Sequence, residues 1–364
     1  MENSSIVFRG YTPIHCCCDA TWRRLPNGEQ AVFFMTGGNF EPESSNFVVM
    51  CRSHDEGQTW GEHEIIHQSE ACKADLEKVP HNMDPNWKDR CVPEIATTMS
   101  EVIVDGDTVC VYLQIHDGHF GHWRTAVTRS TDNGHTWSTP ELFEAKPKRS
   151  MIRNLYLTSW GEYLLPYQFQ PTNGDSEESF MDDPNKLAQI NGVLIGTGKN
   201  GPWEQGGEVQ GPHGWAEVNV IELSNEQLVM LCRSDEGYLM RSESSDRGRS
   251  WTEYVKTDIP NPGSKFRLFK LKQGGILLLH NPSNQVHHPN TKHRCPTGRN
   301  PLSIWISNDN MQSWNYQEDV CTFPGALSYP DGEIEESTSG TYLHFAFDYN
   351  RHDVIYMKVE LPNQ

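Results

Sequence analysis

Five charged residues and one tyrosine stand at the heads of segments that otherwise read as apolar β-strand. They are Asp19 before ATWRRLPNG, Glu94 before IATTMSEVIVDG, Arg153 before NLYLTSWG, Glu217 before VNVIELSNE, Arg267 before LFKLKQGG, and Tyr329 within LSYPDG. An unpaired charge on an inward strand position is costly, so such positions are seldom charged without a purpose. Acids, arginines and a tyrosine at equivalent places read as a binding or catalytic centre. The arginines offer forked contacts to a carboxylate, sulfate or phosphate. The acids can exchange protons with a glycosidic oxygen. A tyrosine is a poor nucleophile at its ordinary pKa of about 10 and needs a base within hydrogen-bond reach. Glu217 is the candidate base for Tyr329. The competing reading is that individual members form structural ion pairs between sheets.

What must position these residues is a repeat. Ser53–Trp60 (SHDEGQTW), Ser130–Trp137 (STDNGHTW) and Ser244–Trp251 (SSDRGRSW) share one phrase, and Ser307–Trp314 (SNDNMQSW) keeps its Ser, Asp, Ser and Trp but has Met311 in place of Gly. In Ser-x-Asp-x-Gly-x-Thr/Ser-Trp the carboxylate accepts backbone N–H groups across a turn, the glycine takes positive φ, and the tryptophan fills space between sheets. The interval from Asp132 to Asp246 is wide enough for two units of roughly 50–60 residues, the size of a four-stranded blade. A worn remnant of the missing box is Lys199–Trp203 (KNGPW). With the stretch after Trp314 the units number six. Short apolar or alternating runs recur in step: Gln30–Met35, Val109–Ile115, Tyr163–Phe169, Leu228–Cys232, Gly275–His280 and Tyr342–Asp348. No comparable window has a helical period. The expected fold is all-β: a six-bladed β-propeller of four-stranded antiparallel blades, forming one domain over residues 1–364. The six strand-head residues then face a shared pocket, and pairing of Ile6–Arg9 with Val354–Glu360 closes the ring.

Composition bounds the partners. A formal charge of −19 in 364 residues argues against nucleic acid and anionic membrane. It leaves room for an anionic small substrate met by local arginines. No apolar run approaches the ~18 residues of a membrane span, and MENSSIVFRGY has neither a basic start nor an apolar stretch, so no secretory leader is expected. Ten cysteines, three of them consecutive at Cys16–Cys18, point to reduced thiols and a cytoplasmic setting. His287, His288, His293 and Cys295 cluster, as do His116, His119 and His122, but neither group has a zinc spacing. No metal and no cofactor is assigned, and the oligomeric state is open.

At these residues the chain resembles the sialidase (neuraminidase) superfamily, from about Thr12 to Tyr356. Members carry the same Asp boxes on a six-bladed propeller. Their fourth blade has a Glu, a Val-Glu-Leu-Ser-Asp-Gly-like strand and turn, and an Arg sixteen residues after that Glu. Here Glu217, Ile221-Glu222-Leu223-Ser224-Asn225 and Arg233 keep that order. The resemblance implies that Glu217 is the base assisting a nucleophilic Tyr329, and that Arg233 and Arg299, in GRNPLSIWISND, bind a substrate carboxylate. It places the proton donor at Glu41, about a dozen residues before the first box, with Glu43 close by. Where the family has its first triad arginine, this chain has His15-Cys16-Cys17-Cys18-Asp19-Ala20. Phe8-Arg9-Gly10 lies too far upstream to supply it, and Arg153 and Arg267 are extra cations that compensate.

The leading expectation is an exo-acting glycosidase of sialidase type that removes a terminal acidic or polar sugar, sialic acid among the candidates. Catalysis falls to Tyr329, Glu217 and Glu41, with Asp19 and Glu94 beside them; Arg153, Arg233, Arg267, Arg299 and His116 bind the carbohydrate. A second reading is a polysaccharide lyase acting on uronates, or a glycosidase of different mechanism, using His15, His81, His116 or His119. A third is a glycan-binding propeller without turnover. Tyr349–Asp353 reads as a hairpin turn or as part of the pocket, and Trp22-Arg23-Arg24 as a strand with a surface-facing arginine.

Overall fold

The computed structural model describes residues 4–77, 92–118, 120–171, 188–212, 214–286 and 298–362. In chain order its elements are β1 (Ser4–Arg9), β2 (Cys18–Arg24), β3 (Gln30–Thr36), β4 (Phe47–Ser53), β5 (Glu64–His67), α1 (Glu70–Leu76), β6 (Ala96–Asp105), β7 (Thr108–His116), β8 (Trp123–Ser130), β9 (Glu141–Leu142), β10 (Ser150–Ile152), β11 (Tyr156–Leu157), β12 (Tyr163–Phe169), β13 (Ile190–Gly196), β14 (Trp203–Gln210), β15 (Val218–Glu222), β16 (Leu228–Cys232), β17 (Tyr238–Ser244), β18 (Val255–Pro260), β19 (Arg267–Lys270), β20 (Ile276–His280), β21 (Leu302–Ser307), β22 (Tyr316–Cys321), β23 (Leu327–Ser337), β24 (Gly340–Tyr349) and β25 (Asp353–Glu360). They form six antiparallel sheets: β2–β5, β6–β9, β10–β12–β13–β14 with β11 added on β12, β15–β18, β19–β22, and β23–β24–β25–β1. This is the expected all-β fold, six four-stranded blades of a β-propeller, with one seven-residue helix among the described residues that the sequence reading did not anticipate. The six apolar runs became β3, β7, β12, β16, β20 and β24, the second strand of each blade.

The chain divides into two compact units, one made of Met1–Ser150 and Asp331–Leu361, the other of Met151–Pro171 and Ala188–Pro330. In the first, the packing of β3 explains why its residues 31–35 are all apolar. Val32 and Phe34 pack with Trp22, Ala346 and Tyr356, whereas Ala31 and Phe33 point the other way, onto Met99, Val111 and Leu113. Both faces of the strand are buried, and the two-residue alternation deals its side chains to two cores. The second unit repeats the device in β16. Leu228, Met230 and Cys232 pack with Leu164 and Val193, and Val229 and Leu231 pack with Phe266, Leu268 and Leu278. Each fully buried side chain of this size contributes about 1.5–3 kcal/mol.

All four boxes join the third and fourth strands of a blade, and Lys199–Trp203 sits at that same place between β13 and β14. In the first box Ser53 Oγ donates to Asp55 Oδ1 at 2.8 Å, Thr59 N to Oδ1 at 2.9 Å and Thr59 Oγ1 to Oδ2 at 2.6 Å. These bonds, those from Thr59 foremost, hold the Asp55 carboxyl at about 2. Asp309 is held at about 2 in the same way by Ser313 and Ser307. The turn needs two successive left-handed residues, Glu56 at φ 58° and Gly57 at 80°; in the fourth box Asn310 and Met311 both take 61°. Trp60 donates through Nε1 to Ser5 Oγ at 2.8 Å and meets Tyr356 edge-on at 5.4 Å, so the first box leans on the sheet that contains both chain ends.

Candidate functional site

Glu217 directly precedes β15, and Arg233 directly follows β16. Val218 pairs with Cys232 and Glu222 with Leu228, and one more step along that register sets Glu217 opposite Arg233. There Arg233 N donates to the Glu217 carbonyl at 2.9 Å. Their sixteen-residue separation is therefore the length of a hairpin, and opposed residues of an antiparallel pair share a face. Arg233 Nη1 donates to the two Glu217 carboxylate oxygens at 2.8 and 2.7 Å, and to Tyr329 Oη at 3.1 Å. All three side chains are buried, Glu217 at 4 %, Arg233 at 7 % and Tyr329 at 8 % exposure. Burial opposes the Arg233 charge, but Glu217, Tyr329 and Asp235 outweigh it and hold the guanidinium above its ordinary value.

Tyr329 reaches this position through a strained backbone, at φ 55° within β23. A bulky residue rarely adopts the left-handed region, at a cost of about 1–3 kcal/mol. Asp19 and Glu94 share the conformation at φ 56°. Three strand heads thus use one device, and at Asp19 the β2–β3 register slips between Cys18 and Thr21. Such a bulge re-aims one side chain out of the alternation.

Around Tyr329 the second unit gathers further cations. Arg299 Cζ lies 4.7 Å from the ring centroid and Arg233 Cζ 5.9 Å. Arg299 Nη2 donates to Gly263 O at 2.8 Å, which ties it to the turn Asn261–Ser264. Arg153 donates through Nε to Gln168 at 3.1 Å, and its Nη2 lies 3.9 Å from Glu217. Arg267 heads β19, buried, with its guanidinium 5.8 Å from the Phe269 ring. The sequence reading missed Lys265, which is 3 % exposed and holds its Nζ 5.8 Å from the Tyr329 ring centroid. The signal was Asn-Pro-Gly-Ser-Lys: Asn261 Oδ1 accepts from Gly263 N and Ser264 N, both at 3.0 Å, and that turn delivers Lys265.

The first unit holds the other candidates. Asp19 is 7 % exposed, and its carboxylate accepts from Cys18 Sγ at 3.8 Å. Glu41 accepts from Arg351 Nη2 at 3.0 Å, while Arg351 Nη1 touches Cys18 Sγ. Tyr349–Asp353 is a hairpin turn between β24 and β25, and it also delivers Arg351 to these residues. One ligand atom each from Cys18, Asp19 and Glu41 lies within 4.8 Å of the others. Arg351 already supplies the positive charge there, so the cluster does not fit a cation. Glu43, 1 % exposed, caps the backbone of Asn39 at 2.6 Å and is structural.

Two expectations are corrected. Glu94 does not point inward. It stands two residues ahead of β6, where its left-handed backbone turns the carboxylate to Arg124, and the side chain is 57 % exposed. His116 is fully buried; its Nδ1 accepts from Gly118 N at 3.1 Å and its ring packs 4.5 Å from Phe120, so it braces the loop after β7. The strand Trp22-Arg23-Arg24 divides its arginines: Arg24 is the partly exposed one, and Arg23 is buried. At 2 % exposure it pairs with Glu101 at 2.5 Å and Asp331 at 3.0 Å. His81, His119, His287, His288, His293 and Cys295 lie outside the described residues. The eight described cysteines form no disulfide and are buried, and burial pushes the Cys51 and Cys72 thiols up to about 12, away from thiolate chemistry.

The blades thus bear four Asp boxes and, in the second unit, a buried cluster of Glu217, Arg233 and Tyr329. The chain belongs to the BNR repeat-like domain family, which it matches over residues 29–344. Among solved structures it is similar to the Hadza microbial sialidase Hz136, at 17 % identity and TM-score 0.67, covering 95 % of this chain and 66 % of that one. It is similar to the NanB sialidase from Streptococcus pneumoniae at 12 % identity and TM-score 0.67, covering 98 % and 70 %. A protein of unknown function from Dyadobacter fermentans is similar at 15 % identity and TM-score 0.66, covering 99 % and 98 %. No curated protein matches. At these identities the likenesses show the fold, a six-bladed β-propeller.

Proposed function

We propose that this protein is an exo-acting glycosidase of sialidase type that releases a terminal acidic or polar sugar from a glycan. The observation that carries the reading is the single nitrogen, Arg233 Nη1, that holds both the Glu217 carboxylate and the Tyr329 hydroxyl. In the proposed reaction Tyr329 Oη attacks the anomeric carbon as the bond to the leaving oxygen breaks. The phenolic proton passes to Glu217, and Arg233 steadies the negative charge that develops on Oη. Water then displaces the tyrosine and regenerates it. Arg299, Arg153 and Arg267 are the proposed anchors for the anionic or polar groups of the sugar. The resemblance assigns the leaving-group proton to Glu41. That carboxylate accepts from Arg351 within the first unit.

The test is a screen of aryl glycosides and acidic oligosaccharides with wild type, Tyr329→Phe and Glu217→Gln. Turnover in wild type with at least about a hundredfold loss in each variant is expected. Equal activity in Tyr329→Phe would remove the nucleophile assignment. An unsaturated, ultraviolet-absorbing product would replace hydrolysis with elimination, and glycan binding without turnover would leave a lectin.

A further inference from the structure

Asn219, the second residue of β15, has no part in the scheme above, yet its side chain is bonded beside three of the charged residues that scheme uses. It is 3 % exposed and lies on the same face of β15 as Glu217, two residues earlier. Its Nδ2 donates to Val218 O at 2.9 Å, next in the chain to Glu217, and to Phe266 O at 3.2 Å. Its Oδ1 accepts from Leu268 N at 3.0 Å and from Asn154 Nδ2 at 2.8 Å. Phe266 and Leu268 flank Arg267, and Asn154 follows Arg153. An amide has two donor hydrogens and two acceptor sites, and here all four are in use. One side chain thus links three successive sheets at the residues adjoining Arg153, Glu217 and Arg267. Asn154 is 5 % exposed and holds φ 28°, a left-handed backbone that persists only where its surroundings fix it.

We infer that Asn219 is a positioning residue for the proposed reaction, fixing the spacing of Arg153, Glu217 and Arg267 through the backbone beside each. The inference rests on the glycosidase reading for its purpose, though not for its measurement. An apolar contact in the same place would hold the sheets together without dictating how they align. A buried amide with every bond made admits one arrangement.

The experiment follows the Nε–H groups of Arg153 and Arg267 by nitrogen-15 NMR in arginine-labelled protein, with Arg153→Lys and Arg267→Lys to assign the signals. Arg23, buried in the first unit, is the internal control. Asn219→Leu keeps the volume and removes every bond. In it the Nε protons of both arginines should exchange with water at least about fivefold faster than in wild type, with Arg23 unchanged. Asn154→Ala cuts one arm and should have this effect at Arg153 alone. A smaller change at either arginine in folded Asn219→Leu overturns the inference, as does equal acceleration at Arg153, Arg267 and Arg23. In an active enzyme Asn154→Ala should also raise KM at least about fivefold with kcat little changed, and an unchanged KM likewise overturns the inference. Should Asn219→Leu fail to fold, Asn219→Ser and Asn154→Ala decide the matter by the same criteria. The exchange measurement involves no substrate. A wild type that cleaves nothing but shows both responses removes the glycosidase reading alone, and an active enzyme whose arginines ignore residue 219 removes this inference alone.

Discussion

Arg233 carries two duties, since its guanidinium neutralises Glu217 and donates to Tyr329. Removing it strands a buried carboxylate whose next cation, Arg153, is 3.9 Å away. Arg233→Met should therefore cost on the order of 3–5 kcal/mol in urea unfolding. The double variant Arg233→Met/Glu217→Gln should recover much of that loss, because the orphaned charge goes with its partner. Additive losses would show that the two side chains are energetically independent. At this scale the sequence was informative where spacing had a geometric meaning. Sixteen residues from Glu217 to Arg233 is a hairpin register, legible without coordinates. Glu94 failed because strand-head position alone does not say which way a left-handed residue turns. Lys265 was invisible because it lies two residues ahead of Arg267, the charge read as the head of that strand.

The box turns are the elements that repeat, and their chemistry could be read almost in full: Ser, Asp and Thr form the bonds their types predict. Met311 is the informative departure. It adopts φ 61°, where Gly57 and its counterparts take 80–82°, and buries its side chain among Ile221, Leu268 and Ile276. Met311→Gly relieves roughly 1 kcal/mol of backbone strain but forfeits about 2–4 kcal/mol of packing. The variant should be less stable by about 1–3 kcal/mol in denaturant unfolding. A more stable variant would mean that strain, not burial, dominates this turn. The boxless blade was legible only through its interval and KNGPW, because Gly201-Pro202-Trp203 keeps the turn and loses the Ser and Asp that mark it.

Over the whole molecule, acid should act in two stages. Burial holds His344 at about 4 and His280 at about 3, below the ordinary 6.5. Asp55 and Asp309 sit at about 2, below 3.8. In every case the unfolded chain takes up protons first, so the stability these groups confer is complete above the ordinary value and is lost as pH falls through the native one. The Tm should be level above about pH 7, decline between about pH 6.5 and 3 as the histidines are lost, and drop further toward pH 2 as the boxes protonate. His344→Gln should flatten the first decline, and an unchanged profile would remove His344 as its source. The expected closure of the chain ends is present: β1 pairs with β25 from Ser4↔Met357 to Arg9↔Asp353, burying Val7 and Phe8. Deleting the first nine residues should lower Tm by at least about 3 °C. Chain order could be read from the repeat period, whereas the division into two compact units could not, since it depends on how closely individual blades pack. One of those units joins Met1–Ser150 to Asp331–Leu361, and Gly57 of its first box is so close to Tyr356 that an added Cβ would come within 2.3 Å of that ring. A ribosome therefore delivers most of this unit, Met1–Ser150, long before the segment that completes its core. Until Asp331–Leu361 emerges, the polypeptide carries strand edges that nothing yet pairs, so the topology favours slow maturation.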